Sequence, residues 1–360
     1  SEYTSVINRY MRGSLIKKLP FLYIGTIYSQ FVSFIRYGNS LHDWMNIKRL
    51  LLFGCLLLCF LKGKAQFDVE FTNYWALNGF YNPAYAGQTD KLNIYGTYSM
   101  QMLGFTHAAK SMYFGADMPF KFLEKKHGVG AGFFNEGIGL LRNQRFWLQY
   151  SFKLKLFGGN LGIGAQLGGL SISFDPKNLY LGEDESSKND PAFPSSEASG
   201  TGFDIDFGAF YTHPIFYAGL SVSHLNAPTV LLGDNNEIKV DPTFYFTGGC
   251  NIKTKNPLIS IQPSVMLKTD MVVFKADLTV RALYTWNEKV YYAGLSYSPG
   301  NAVSFLLGMQ LKDLTVGYAY NMFTSKIGAL SGSHDIFVNY SMNMNFMGKS
   351  KNKHKSIRIL

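Results

Sequence analysis

Charge is scarce in this chain. Asp, Glu, Lys and Arg make up 16% of its 360 residues, against roughly 25% in an ordinary soluble domain. Cysteine is scarcer still. Of three cysteines, Cys55 and Cys59 lie in an apolar run near the front, and only Cys250 follows it. That excludes an intramolecular disulfide or a cysteine metal cluster beyond residue 65. A catalytic constellation is also missing. The seven histidines are scattered without ligand spacing. His213 precedes Pro214 in a predicted turn and His224 ends a predicted strand. Gly128-Val129-Gly130-Ala131-Gly132 has the glycines of a phosphate loop, but it lies within a strand pattern with no helix after it. The residues therefore predict no enzyme, no cofactor and no metal.

The formal net charge of +10 is mostly a property of the ends. Residues 1–65 hold nine Lys/Arg and two acids, which leaves 25 basic and 22 acidic residues beyond them. Five of those basics, Lys349, Lys351, Lys353, Lys355 and Arg358, crowd the last dozen positions. The body between is slightly acidic, which excludes nucleic acid as a partner.

What the chain has in quantity is 23 Tyr, 30 Phe and 36 Gly. From residue 92 onward its hydrophobic period is two. Leu278, Val280, Ala282, Tyr284 and Trp286 alternate with Asp277, Thr279, Arg281, Leu283 and Thr285. Ile336, Val338, Tyr340 and Met342 alternate with Asp335, Phe337, Asn339 and Ser341. Fourteen segments follow this pattern: 92–102, 110–118, 129–139, 144–156, 160–173, 203–211, 215–224, 243–252, 259–267, 277–286, 290–297, 303–311, 314–321 and 334–345. Most have the roughly 9–11 residues that cross a bilayer when tilted, and an even count is usual for single-chain bacterial barrels. Loop lengths support this. Connections after even strands are short, at 157–159, 212–214, 253–258, 287–289 and 312–313, with 119–128 the exception. The longest, 174–202, 225–242 and 322–333, follow odd strands. Barrels sort loops in this way, with periplasmic turns short and extracellular loops long. The reading is an all-β, transmembrane antiparallel barrel of about 14 strands over 92–346, with outer-membrane lipid around it. Both mature termini are then expected in the periplasm, and the segment before strand one at the periplasmic side or in the lumen. A soluble β-sandwich is the competing architecture. Asp204, Asp206, Asp277 and Arg281 are expected to point inward as lumen ion pairs, because charge facing lipid is costly. The acidic, Ser-rich loop 174–202 reads either as a solvated loop or as a docking surface.

At the front, Met45-Asn46-Ile47-Lys48-Arg49 is a short positive stretch, and Leu50–Leu61 an apolar run too short to span a bilayer. Residues 45–65 thus read as a signal peptide cut at Ala65/Gln66. A lipoprotein signal ending at Cys55 is the rival, weakened by the short run before it. Residues 1–44 read as an upstream translated extension, and 347–360 as a basic periplasmic tail, either disordered or bound to an acidic partner.

Several motifs lie along the body. Gln66-Phe67-Asp68 and Phe71-Thr72-Asn73-Tyr74-Trp75 precede Tyr81-Asn82-Pro83-Ala84-Tyr85-Ala86-Gly87. His127-Gly128-Val129-Gly130, Asn135-Glu136-Gly137-Ile138-Gly139, Phe207-Gly208-Ala209-Phe210-Tyr211 and Gly332-Ser333-His334-Asp335-Ile336 follow in order. Over 66–346 this resembles the PorP/SprF family of the Bacteroidetes type IX secretion system. The resemblance implies an outer-membrane barrel of the secretion and gliding machinery, with a secreted adhesin as cargo. It further implies periplasmic ring or peptidoglycan-binding components as partners. A transport channel, porin-like or for apolar solutes, is the alternative. In the motif, Pro83 fixes its own φ and biases Asn82 away from helix, so residues 66–91 can end in a rigid turn ahead of strand one.

Overall fold

The computed structural model describes residues 68–105, 107–176, 197–233, 236–324 and 332–343. The expected signal peptide with its Ala65/Gln66 cut, the extension 1–44, the acidic run in 174–202 and the basic tail lie outside them.

The described chain is almost all sheet. Its strands are β1 (Lys91–Met100), β2 (Lys110–Phe122), β3 (Lys125–Ile138), β4 (Leu141–Leu156), β5 (Gly159–Phe174), β6 (Ala198–Thr212) and β7 (Phe216–Ser223), then β8 (Thr229–Leu232), β9 (Asn236–Lys239), β10 (Thr243–Cys250) and β11 (Ile252–Lys253), and finally β12 (Ile259–Thr269), β13 (Phe274–Trp286), β14 (Lys289–Ser298), β15 (Ala302–Leu311), β16 (Leu314–Phe323) and β17 (Ser333–Asn343). Neighbours pair antiparallel in sequence order. β1 also pairs with β17, β7 with β10 past the separate β8–β9 pair, and β10 with β12 past the intervening β11. The result is a closed barrel of 14 strands. Closure leaves no open edge whose unpaired N–H and C=O groups would meet lipid. Each of the fourteen predicted segments coincides with one barrel strand.

The alternation sorts the two faces as a bilayer demands. On β13, Leu278, Val280, Ala282 and Tyr284 are exposed while Thr279 and Arg281 are buried. On β6, Phe203 and Phe207 face out while Asp204 and Asp206 are buried. Apolar outside and polar inside is the reverse of a soluble sandwich, whose strands bury their apolar face.

One expected loop is not there. Residues 119–128 were the single long connection at the end where the others are short. Instead β2 runs on through Pro119 to Phe122 and β3 starts at Lys125. Leu123 and Glu124 alone make the turn, with φ of 46° and 60°. Phe157-Gly158 and Asn287-Glu288 turn in the same left-handed way at the same end. Two residues with positive φ match the right-handed twist of a hairpin. Another expected loop, 225–242, contains the hairpin β8–β9. Its Val230 and Leu232 pack on Leu170 and Ile172, beyond the middle of β5, as a second small core with Val240.

Candidate functional site

The barrel encloses part of its own chain. Residues 68–90 carry only short helical turns, at Tyr74–Ala76, Asn78–Tyr81 and Pro83–Tyr85. Val69, Phe71, Tyr74, Leu77 and Tyr81 form one buried cluster with Tyr95, Tyr113, Phe134, Trp147, Tyr245 and Met266 of the wall. Trp75 also packs edge-on against Tyr292 of β14 and Phe337 of β17, with centroids 5.3 and 5.5 Å away. The segment before strand one, expected at the periplasmic side or in the lumen, is thus a luminal plug. It crosses the lumen. Asp68 and Glu70 bond Lys268 and Lys275, near the long-loop ends of β12 and β13. Gln88 bonds Thr212, at the short-turn end of β6. The described part of the plug therefore begins, at Asp68, toward the long-loop end; the expected mature N-terminus at Gln66 lies outside the described residues. Loop parity locates the start of β1 and says nothing about where the preceding chain runs.

Its tightest seat is the Asn-Pro motif. Asn82 is extended, with φ −146° and ψ 112°, and its side chain accepts a hydrogen bond from Ala84 N at 2.9 Å. Its Nδ2 donates to the Ala209 and Leu220 carbonyls at 3.0 and 3.1 Å, so one side chain shapes the turn and fastens it to two strands. The turn's own carbonyls are used up by the wall. Ser221 Oγ donates to Tyr81 O, Lys153 Nζ to Ala84 O and Ser151 Oγ to Ala86 O, each at 2.6 Å. Gly87 N donates to Asp117 Oδ2 at 2.8 Å. Backbone can approach this closely because the wall lacks side chains beneath it. A Cβ on Gly164 would lie 2.5 Å from Ala84 N, one on Gly162 2.5 Å from Ala84 O, and one on Gly208 or Gly128 inside the motif itself.

At the plug's other end the charges meet. Arg145 of β4 ion-pairs with Asp204 at 2.7 Å and with Asp206. His224 stands between Asp204 and Asp68, at 2.9 and 3.0 Å. Tyr245 donates to Asp68 at 2.6 Å. Asp204, Asp206 and His224 converge closely enough to hold a metal ion, but the Arg145 guanidinium already bonds both carboxylates. Asp204 and Asp206 do face inward together. Arg281 is inward but pairs with neither; it stacks on Trp75, its Cζ 3.4 Å from the ring centroid, and donates to Gln262 at 2.9 Å. Asp277 lies in the lumen apart from both, and its carbonyl accepts from the Tyr74 hydroxyl at 3.4 Å. Arg145, Asp68, His224 and Lys268 are the members that sequence reasoning missed. The signal for Arg145 was its parity: it shares the inward face of β4 with Gln149, Ser151 and Lys153.

Among the described residues, cavities lie at both ends of the plug. One of about 270 Å³ lies at the long-loop end between Glu70, Glu136, Asp277 and Asn321. One of about 570 Å³ lies at the short-turn end. Among the described residues no helix is long and apolar enough to cross a membrane; the strands do so.

A closed barrel with an apolar outer belt and a filled polar lumen defines the class: an outer-membrane β-barrel. Three solved structures to which the chain is similar are, by their descriptions, a channel, a transporter and an outer membrane protein. The CymD monoaromatic hydrocarbon channel is 11% identical with a TM-score of 0.44, over 78% of this chain and 95% of its own. The toluene transporter TbuX of Ralstonia pickettii is 11% identical with a TM-score of 0.42, over 78% and 95%. Outer membrane protein Omp33 of Acinetobacter baumannii is 8% identical with a TM-score of 0.41, over 70% and 98%. No curated protein sequence matches. The family model for the type IX secretion system membrane protein PorP/SprF matches residues 63–340. The chain belongs to that family.

Proposed function

We propose that this barrel is a non-enzymatic component of the type IX secretion and gliding machinery, which helps to export a partner adhesin or hold it at the cell surface. The observation that carries the reading is the plug. The chain uses its family motif, and the polar side chains of three wall strands, to fasten its own residues 81–87 inside the lumen. A barrel filled in this way is suited to serve as a scaffold, with partners meeting its ends. In this reading the long-loop end, with residues 174–202 and the β8–β9 hairpin, faces outward toward the adhesin. The short turns face the periplasm, where ring or peptidoglycan-binding components would dock and where the basic tail 349–358 would meet an acidic partner. Export through a signal peptide cut at Ala65/Gln66 belongs to the same proposal.

The channel alternative has one observation in its favour, the cavity at each end of the plug. Deletion of the gene in its native host separates the two. Loss of one adhesin from the surface, restored by the intact gene, is expected. Normal adhesin display with impaired solute uptake would overturn the proposal in favour of the channel.

A further inference from the structure

The larger cavity holds a charge with no counter-charge. Its wall is aromatic, with Trp75, Tyr85, Phe210, Tyr217, Tyr292 and Phe337, and Arg281 is the one charged residue on it among those described. Arg281 is only 6% exposed. Its guanidinium offers five donors, yet it makes a single hydrogen bond to the protein, to Gln262, and its Nε is buried without an acceptor. The other buried cations nearer the long-loop end are treated differently. Arg145 meets two carboxylates, and Lys268 meets Glu70. A buried cation left without an anion is expensive to keep.

The surroundings are prepared for something more than Arg281 itself. A Cβ on Gly294 would lie 2.8 Å from the Arg281 Cγ, so glycine keeps that arginine's place open. Trp75 Nε1, Asn78 Oδ1, Tyr217 OH, Tyr292 OH and Asn339 Oδ1 all lie on the same lining and also lack partners. Unsatisfied polar atoms are uncommon in folded interiors, where most are paired, and here five gather around one cavity. At about 570 Å³ the space falls within the roughly 300–1,000 Å³ typical of small-molecule sites. Asn160, Thr212, Gln310 and Asn339, near the strand ends, place its mouth at the short-turn end.

We propose that this cavity binds a small organic anion: a carboxylate joined to a flat apolar body. The carboxylate takes the unused donors of Arg281, whose other face is covered by Trp75. The body lies among Tyr217, Tyr292 and Phe337. This goes beyond the secretion role and does not depend on it.

The test uses the mature barrel purified in detergent, titrated with phenylacetate and with its neutral isostere phenylacetamide, by calorimetry and by tryptophan fluorescence. Phenylacetate should bind saturably and about ten- to a hundredfold tighter than the amide, the factor expected of a charge-assisted pair. Arg281→Gln should erase that preference and Arg281→Lys retain part of it. Should Arg281→Gln fail to fold, the comparison of acid and amide on the unaltered protein decides. No saturable binding at millimolar phenylacetate, equal binding of acid and amide, or an unchanged preference in folded Arg281→Gln would each overturn the proposal.

Discussion

Gly128→Ala isolates the seat of the plug. Gly128 lies on β3 with the Ala86 carbonyl directly over it, so an added methyl would occupy the place of that oxygen. The obstacle is backbone on both sides: Gly87 has its own α-carbon pressed against Gly128, and a Cβ there would come 2.5 Å from it. Moving the Ser151 hydroxyl, 2.7 Å from the added Cβ, would not relieve the closer contact with the Ala86 carbonyl, so residues 84–87 must lift. Three bonds then stretch or break: Ser151 to Ala86 O, Lys153 to Ala84 O and Gly87 N to Asp117. Two of these involve a charged group, so together they are worth about 3.5–7.5 kcal/mol. The wall itself is unharmed, because Gly128 keeps its ladder partners Pro119 and Ser151. The natural control is on the same strand. Gly137 has nothing within 4 Å of its ideal Cβ, so Gly137→Ala should be silent. Limited proteolysis of the folded barrel reads the difference: residues 68–90 should become cleavable in Gly128→Ala while the barrel stays intact, and remain protected in Gly137→Ala. Equal protection in both variants would refute the claim that glycine makes the seat.

Other expectations concern the wall. Arg145→Ala leaves Asp204 and Asp206 buried without their cation and should destabilise the barrel by about 3–5 kcal/mol, read from unfolding in detergent; Arg145→Lys should recover little, since it cannot serve both carboxylates as a fork does. Leu295→Arg, on the outer face of β14, should cost about 2–4 kcal/mol of folding into lipid vesicles, while Ser296→Thr, facing inward on the same strand, should fold normally. Replacing Leu123-Glu124 by Asn-Gly should stabilise the hairpin by about 1 kcal/mol, because both residues hold a left-handed φ that Asn and Gly adopt more readily. A loss of stability there would mean that the β2–β3 connection is not a two-residue turn.

The strands were legible because a bilayer imposes alternation: every second side chain meets lipid and must be apolar, as on β13 and β17. The turn at 123–124 was not, because it lacks the Asn or Gly that usually marks such turns, and Pro119 and the basic run at 125–126 look like a loop. The hairpin β8–β9 was hidden for another reason. Its strands are four residues each, too short to show a period. The charged cluster was half visible. Asp204 and Asp206 announce themselves by alternating with Phe203, Ile205 and Phe207, whereas Arg145 reaches them across β5, where Gln166 bonds Asp206. That contact depends on register, which one strand's pattern does not contain. The plug was least legible. Its aromatic residues have no period, since they follow the irregular contour of a lumen, so the sequence leaves the segment either at the periplasmic side or in the lumen and specifies only its rigid Asn-Pro turn.

The most direct test of the scaffold reading is mass spectrometry of what co-purifies with the tagged protein from mildly solubilised outer membrane, alongside the current the purified barrel carries in a planar bilayer. Secretion-system components and one surface adhesin in the eluate, with no steady current, is the predicted result. An eluate free of both, from a protein that conducts as an open pore, would contradict it.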